Sequence, residues 1–160
     1  MLDYDPCAKQ GLAGRAAPAT PPGHRMPRKL PTITDDNAAF WTGGASDQLL
    51  IHWCEDCGAY FHPPAPVCAK CQGSRVGPRV VSGRGRVVTY TINHQAWLPA
   101  LPVPYVVAIV GLAEQAGLQF LSNVVRCPPE SVHIGMPVRV VFERHEDVWL
   151  PLFEPDPVTR

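Results

Sequence analysis

The sequence predicts a mainly β protein, in which a short helix and a small cysteine-bearing ribbon precede a five-stranded barrel. Three observations carry this. Two C-x-x-C pairs, Cys54/Cys57 and Cys68/Cys71, stand ten residues apart. Beyond Gly83, short apolar runs alternate with turn signals and no long helical periodicity intervenes. Ahead of the cysteines, a stretch rich in Ala, Gly and Pro shows no apolar periodicity at all.

Taken in order, residues 1–33 read as a disordered tail, with five basic and two acidic groups and too little apolar content to offset the entropy of ordering. Cys7 lies there without a partner at metal-binding spacing. Residues 34–47 read as a short helix and linker. Thr34-Asp35-Asp36 supplies capping side chains, Ala38, Ala39, Phe40 and Trp41 the helix, and Gly43-Gly44 its stop. Residues 48–81 read as the ribbon: Gln48-Leu49-Leu50-Ile51-His52-Trp53 is strand-like and runs into the first cysteine pair, and Pro63, Pro64 and Pro66 punctuate the loop before the second.

Residues 82–155 read as the barrel, with strands expected at 84–95, 104–112, 117–125, 137–144 and 147–153, and 156–160 as a second tail. Between the third and fourth strands, Pro128-Pro129-Glu130-Ser131 opens a single helical turn and Gly135 marks the return to strand. Five strands with a short helix between the third and fourth is the layout of an OB-fold.

A chain of 160 residues can bury a real core, so a metal need not hold the whole fold together. Its 14 basic and 14 acidic residues balance, which disfavours a phosphate polymer as partner. No apolar run approaches the roughly 18 residues of a membrane span, and the N-terminus lacks the basic-then-apolar order of a secretory signal. The chain therefore reads as cytoplasmic. In a reducing compartment, paired C-x-x-C motifs indicate metal rather than disulfides.

Each C-x-x-C pair forms a knuckle whose two sulfurs face one ion, with Gly58 and Gly73 expected to supply the conformational freedom of the turns. Cys54, Cys57, Cys68 and Cys71 together satisfy a tetrahedral Zn²⁺ and leave no position open for water, so the site is structural. A single iron, as in rubredoxin, is the alternative that four sulfurs also accept. His52 and His62 flank the knuckles and read as ribbon-surface histidines, and Cys127 as a packed strand-end thiol.

Several strings, in this order, carry a family resemblance: Phe40-Trp41, Cys54-Glu55-Asp56-Cys57-Gly58, Phe61-His62-Pro63-Pro64, Val67-Cys68, Ser82-Gly83-Arg84-Gly85, Thr89-Tyr90-Thr91, Pro104-Tyr105-Val106-Val107-Ala108, Leu121-Ser122-Asn123 and Ile134-Gly135-Met136-Pro137-Val138. From Phe40 to Phe153 the chain resembles an acyl-CoA-associated family, long catalogued as a domain of unknown function, that joins a rubredoxin-like zinc ribbon to a C-terminal OB-fold. The resemblance implies an accessory subunit of a thiolase-superfamily enzyme of the lipid-transfer-protein type. Two copies are expected on the partner's dimer, with a CoA thioester as ligand of the complex. It also implies, for some members, association with a MaoC-type hydratase. The ending Arg144 to Phe153 resembles partners of aldolases that perform retro-aldol cleavage in steroid side-chain degradation; a β-ketoacyl-CoA thiolase partner or an acyl-CoA channelling role is the alternative.

The residues themselves present no nucleophile held by a base. His94 is the best single acid–base candidate, yet a lone strand histidine reads as structural, and no catalytic residue is assigned. Arg84 and Arg86 stand in a Gly-spaced stretch suited to a CoA phosphate. Phe40, Trp41, Trp97, Leu98, Leu101, Trp149, Leu152 and Phe153 are the candidates for a partner interface. Two competing readings remain: a single-strand nucleic-acid OB module, disfavoured by nine basic against twelve acidic residues from 34 onward, and electron transfer at iron.

Overall fold

The structure is a computed structural model and describes residues 29–97 and 102–157. The tail residues 1–28, with Cys7, the interface candidates Leu98 and Leu101, and the terminal residues 158–160 lie outside the described residues.

The helix α1 spans Ala38–Thr42 and passes into a 3-10 turn at Gly43–Ser46. Its cap differs from expectation. No side chain caps the first turn; instead the Ala38 N–H donates to Thr34 O at 2.9 Å, and Asn37 Oδ1 accepts the Thr34 N–H at 2.8 Å. The α-helix does stop at the glycines, with Gly43 as its C-cap, but the chain continues through both of them as a 3-10 turn. They are there for closeness: a Cβ on Gly44 would stand 2.6 Å from both Phe142 Cδ1 and Trp149 Cβ, and one on Gly43 2.5 Å from Gln48 O. The coil ends at Asp47, with φ 56°.

Three antiparallel strands make the ribbon: β1 (Leu49–Cys54), β2 (Tyr60–Phe61) and β3 (Val76–Val81), in the order β2-β1-β3. The sequence reading of the ribbon names no strand at β3. Pro78 pairs opposite His52 on an edge strand, where the missing N–H costs no ladder bond. Register puts Leu49, Ile51 and Val81 on one face, buried in the core shared with the barrel.

The barrel comprises β4 (Arg84–Asn93), β5 (Tyr105–Leu112), β6 (Gln119–Val124), β7 (Pro137–His145) and β8 (Val148–Pro155). It closes in the order β4-β5-β6-β8-β7, with β6 and β8 parallel and meeting at Val124 and Phe153. All five strands fall where the runs between turn signals placed them, each within a few residues of its expected ends. A 3-10 turn at Pro129–Ser131 stands in the expected place, and Gly135 takes φ 83° on the way back to strand. β5 alternates half-buried and buried throughout, and its inward residues Val106, Ala108, Val110 and Leu112 meet Val87, Phe120, Val138 and Phe153 in one core.

Two contacts lock ribbon to barrel. His62, on the ribbon loop, lies between Phe40 of α1 and Phe120 of β6, with ring centroids 4.6 and 5.3 Å away. Across the chain, the Gln115 side chain completes the ribbon's free edge: it accepts the Tyr60 N–H at 2.9 Å and donates to Tyr60 O at 3.0 Å, as a neighbouring strand would.

Candidate metal centre

The two knuckles repeat one backbone pattern. In the first, the Gly58 N–H donates to Cys54 O and the Cys54 N–H to Ala59 O; in the second, Gln72 N–H donates to Cys68 O and Cys68 N–H to Gly73 O, all at 2.9 Å. The left-handed position is Gly58 in one (φ 66°) and Gln72 in the other (φ 63°). Gly73 therefore does not supply the turn's freedom, as the sequence suggested. A Cβ there would instead lie 2.2 Å from Asp56 Oδ2 and displace that carboxylate.

This pattern brings the four sulfurs within 4.8 Å of one another. Cys54 Sγ is 3.6 Å from Cys71 Sγ, and Cys57 Sγ is 3.7 Å from Cys68 Sγ. A disulfide would need about 2 Å. A tetrahedron of sulfurs at about 2.3 Å from a central Zn²⁺ has edges of about 3.8 Å, which these contacts match. Backbone N–H groups of Cys71 and Lys70 favour the Cys68 thiolate and hold it to about 7. A Gly73 N–H does the same for Cys71 but is outweighed by burial and by the other sulfurs, which push it to about 12; burial likewise raises Cys57. Four thiols this close share protons among themselves, and a divalent cation replaces those protons. A single ion taking all four sulfurs has no open position, so the donor set fits a structural role.

Neither flanking histidine lies on the ribbon surface. His52 is buried, with Nδ1 3.3 Å from Ala65 O. His62 is half-buried in the aromatic stack, and burial, then the nearby His52, lowers its pKa below the usual 6.5. Cys127 packs half-buried against the core, and His94 is exposed at the end of β4.

Of the arginine pair, Arg84 Nε lies 3.5 Å from Asp156 Oδ2 and Arg86 Nη1 donates to Gly135 O at 3.0 Å. Both rim a shallow, mostly apolar groove of about 370 Å³ with Val88, Gly111, Gly117 and Pro137. Sequence reasoning missed what stands beside it. Glu154 is 8% exposed and takes hydrogen bonds from Arg126 and Arg139, both at 2.8 Å. Burial alone would raise its carboxyl, but the two guanidiniums hold it below the ordinary range.

Among the interface candidates, Phe40, Leu152 and Phe153 are buried and serve the fold rather than a surface. Trp41 and Trp149 are half-buried, and Trp97 is 73% exposed with its Nε1 donating to Asn93 Oδ1. The structure adds Leu121 and Ile134, each 68% exposed, which sequence offers no means of separating from inward residues. Leu121 borders a groove of about 170 Å³ with Trp41, His62, Ser122 and Asn123. Among the described residues, no helix is long and apolar enough to cross a membrane.

Comparison with known proteins gives two matches that meet end to end. Residues 41–77 match the ChsH2 rubredoxin-like zinc ribbon domain, and residues 78–143 the ChsH2 C-terminal OB-fold domain. The chain is 35% identical over 126 residues to the 3-oxo-4,17-pregnadiene-20-carboxyl-CoA hydratase alpha subunit of Mycobacterium tuberculosis, covering 79% of this chain and 40% of that one. It is 38% identical over 93 residues to a DUF35 domain-containing scaffold protein of Methanocaldococcus jannaschii, covering 57% of this chain and 64% of the other. It thus spans less than two thirds of either relative. A solved Ltp2-ChsH2(DUF35) aldolase contains a chain that superposes with TM-score 0.71 at 34% identity, covering 79% of this chain and 98% of that chain. With ribbon and barrel matched in order, and a chain of known structure matched over almost its whole length, this protein belongs to the ChsH2 (DUF35) family of zinc-ribbon and OB-fold proteins.

Proposed function

We propose that this chain is a non-catalytic, zinc-containing subunit that docks on a thiolase-like enzyme acting on acyl-CoA, and that the complex is a retro-aldol lyase of the steroid side-chain type. One observation carries the reading: the chain matches 98% of its counterpart in an Ltp2-ChsH2(DUF35) aldolase but only 40% of a hydratase alpha subunit. The name of that hydratase supports a steroid acyl-CoA as substrate class. Four thiolates without an open position support a structural, not chemical, role for the metal.

On this reading the exposed Trp97, with the Trp41 and Leu121 groove, faces the partner, and two copies sit on a thiolase-like dimer. Arg84 and Arg86 are offered to the phosphates of CoA, supported by their common groove and their exposure. The test is co-expression with a thiolase-like partner, followed by size-exclusion chromatography and assay with a β-hydroxyacyl-CoA and an α,β-unsaturated acyl-CoA. The expected outcome is co-elution, with cleavage of the hydroxyacyl ester by the complex alone. A partner fully active without this chain overturns the reading. Association with a hydratase is the second reading, favoured by the hydratase relative; co-elution with a co-expressed hydratase subunit, and water addition to the unsaturated ester by that complex alone, would establish it. Replacing Arg84 and Arg86 together by Ala is expected to weaken CoA binding by the complex, and unchanged affinity removes their phosphate role.

A further inference from the structure

The four sulfurs come in two pairs, and both close contacts cross from one knuckle to the other, Cys54 to Cys71 and Cys57 to Cys68. The spacing of the knuckles therefore decides whether one ion can reach all four. Little apolar burial sets that spacing, since only Cys54, Ala59 and Cys68 are buried hydrophobics in this part of the ribbon.

What does bridge the knuckles is polar. Asp56 sits between the cysteines of the first, and its Oδ2 lies over the bare Cα of Gly73 in the second, where a Cβ would come within 2.2 Å. Its Oδ1 takes the Arg75 guanidinium side-on, from Nε at 2.8 Å and from Nη2. Arg75 returns the link through its backbone, where its carbonyl accepts the Glu55 N–H at 2.9 Å. Gly73 is itself tied to the sulfurs, with its carbonyl accepting the Cys68 N–H and its N–H directed to Cys71. The carboxylate thus touches the second knuckle at the residue that orients two of the four ligands.

We infer that Asp56 is a positioning residue of the metal centre: held by Arg75 against Gly73, it keeps the two knuckles at the separation one ion requires and slows the ion's release. The Arg75 side chain is 67% exposed and that of Asp56 30%, so the pair contributes little to global stability, and its effect falls on the metal. Groups that orient ligands without touching the metal are worth about 10- to 100-fold in affinity.

The experiment uses the zinc-loaded full chain and follows transfer of zinc to 4-(2-pyridylazo)resorcinol, with thermal unfolding recorded alongside. Asp56→Ala and Arg75→Ala are expected to release zinc about tenfold faster with little change in unfolding temperature. The double variant is expected to be no faster than either single one, because both remove the same link. Asp56→Asn keeps the shape, loses the charge, and is expected to fall in between. Cobalt-loaded Asp56→Ala retains the absorption of four-thiolate coordination, as it must if Asp56 is not a ligand. Wild-type release rates in both Asp56 variants, or additive acceleration in the double variant, would overturn the inference. A wild-type chain that takes up no zinc overturns it together with the metal assignment.

Discussion

In the barrel, burial alternates along the whole of β5, and Val106, Ala108, Val110 and Leu112 all reach a common core. In the ribbon the same pattern runs out after Ile51. Past that point the buried hydrophobics are two ligand cysteines and Ala59, until Val81 ends β3 opposite Leu49. The barrel can stand on apolar burial and ladder hydrogen bonds; the far half of the ribbon keeps its ladder pairs but buries little apolar surface, and draws the rest of its stability from bound metal. Each region is therefore sensitive to a different insult, and the Phe40–His62–Phe120 stack with the Gln115 clamp is where one region feels the loss of the other.

The largest expected effect is on the ribbon. Structural zinc sites supply apparent binding energies of roughly 10–16 kcal/mol in isolated fingers, so Cys68→Ser should lose the metal and unfold the ribbon. Metal analysis of the purified variant checks this, and full zinc retention would break the comparison at its base. Next comes the barrel. Phe153 is completely buried where β6 meets β8, and Phe153→Ala should cost about 3–5 kcal/mol by denaturant unfolding with zinc stoichiometry unchanged.

Smaller effects sharpen the comparison at the joint. Gln115→Ala removes two hydrogen bonds from the edge of β2 and should cost about 1–3 kcal/mol. Amide exchange near Tyr60 and Phe61 should rise while that of β5 stays fixed. The smallest is a pH effect. His62 is held below 6.5, so the unfolded chain binds the proton more readily than the folded one. Stability is present in full above about pH 6.5 and declines as pH falls toward the folded value. His62→Phe should flatten that slope in a series of unfolding curves, and an unchanged slope would assign it to another group.

Much of this was legible in the sequence, for reasons that differ between the regions. A β-rich apolar run bounded by turn signals located Tyr105–Leu112 within one residue of the expected 104–112, although the run is apolar on both faces and its inward and outward residues separate only in the barrel. The four cysteines were legible by spacing alone. Strand β3 was hidden because Pro78 is forbidden in a central strand and harmless on an edge, a distinction only the assembled sheet makes. The apolar candidates Phe40, Leu152 and Phe153 divided from Trp97 only once the barrel closed, since residue type does not say which face points inward. Gln115 could not be found at all: its partner Tyr60 lies 55 residues away, and a lone glutamine carries no motif. Asp56 was visible as a residue but not as a bridge, and Gly73 was given to turn geometry when its role is to admit a carboxylate.

The comparison of the two regions is tested most directly by amide hydrogen exchange on the full chain, measured zinc-loaded and again after the metal is stripped. The result predicted is loss of protection at Cys54, Ala59 and Gly73 and along β2, with β5 and β7 protected as before. Protection that survives throughout the stripped ribbon, or that is lost equally from ribbon and barrel, would contradict it.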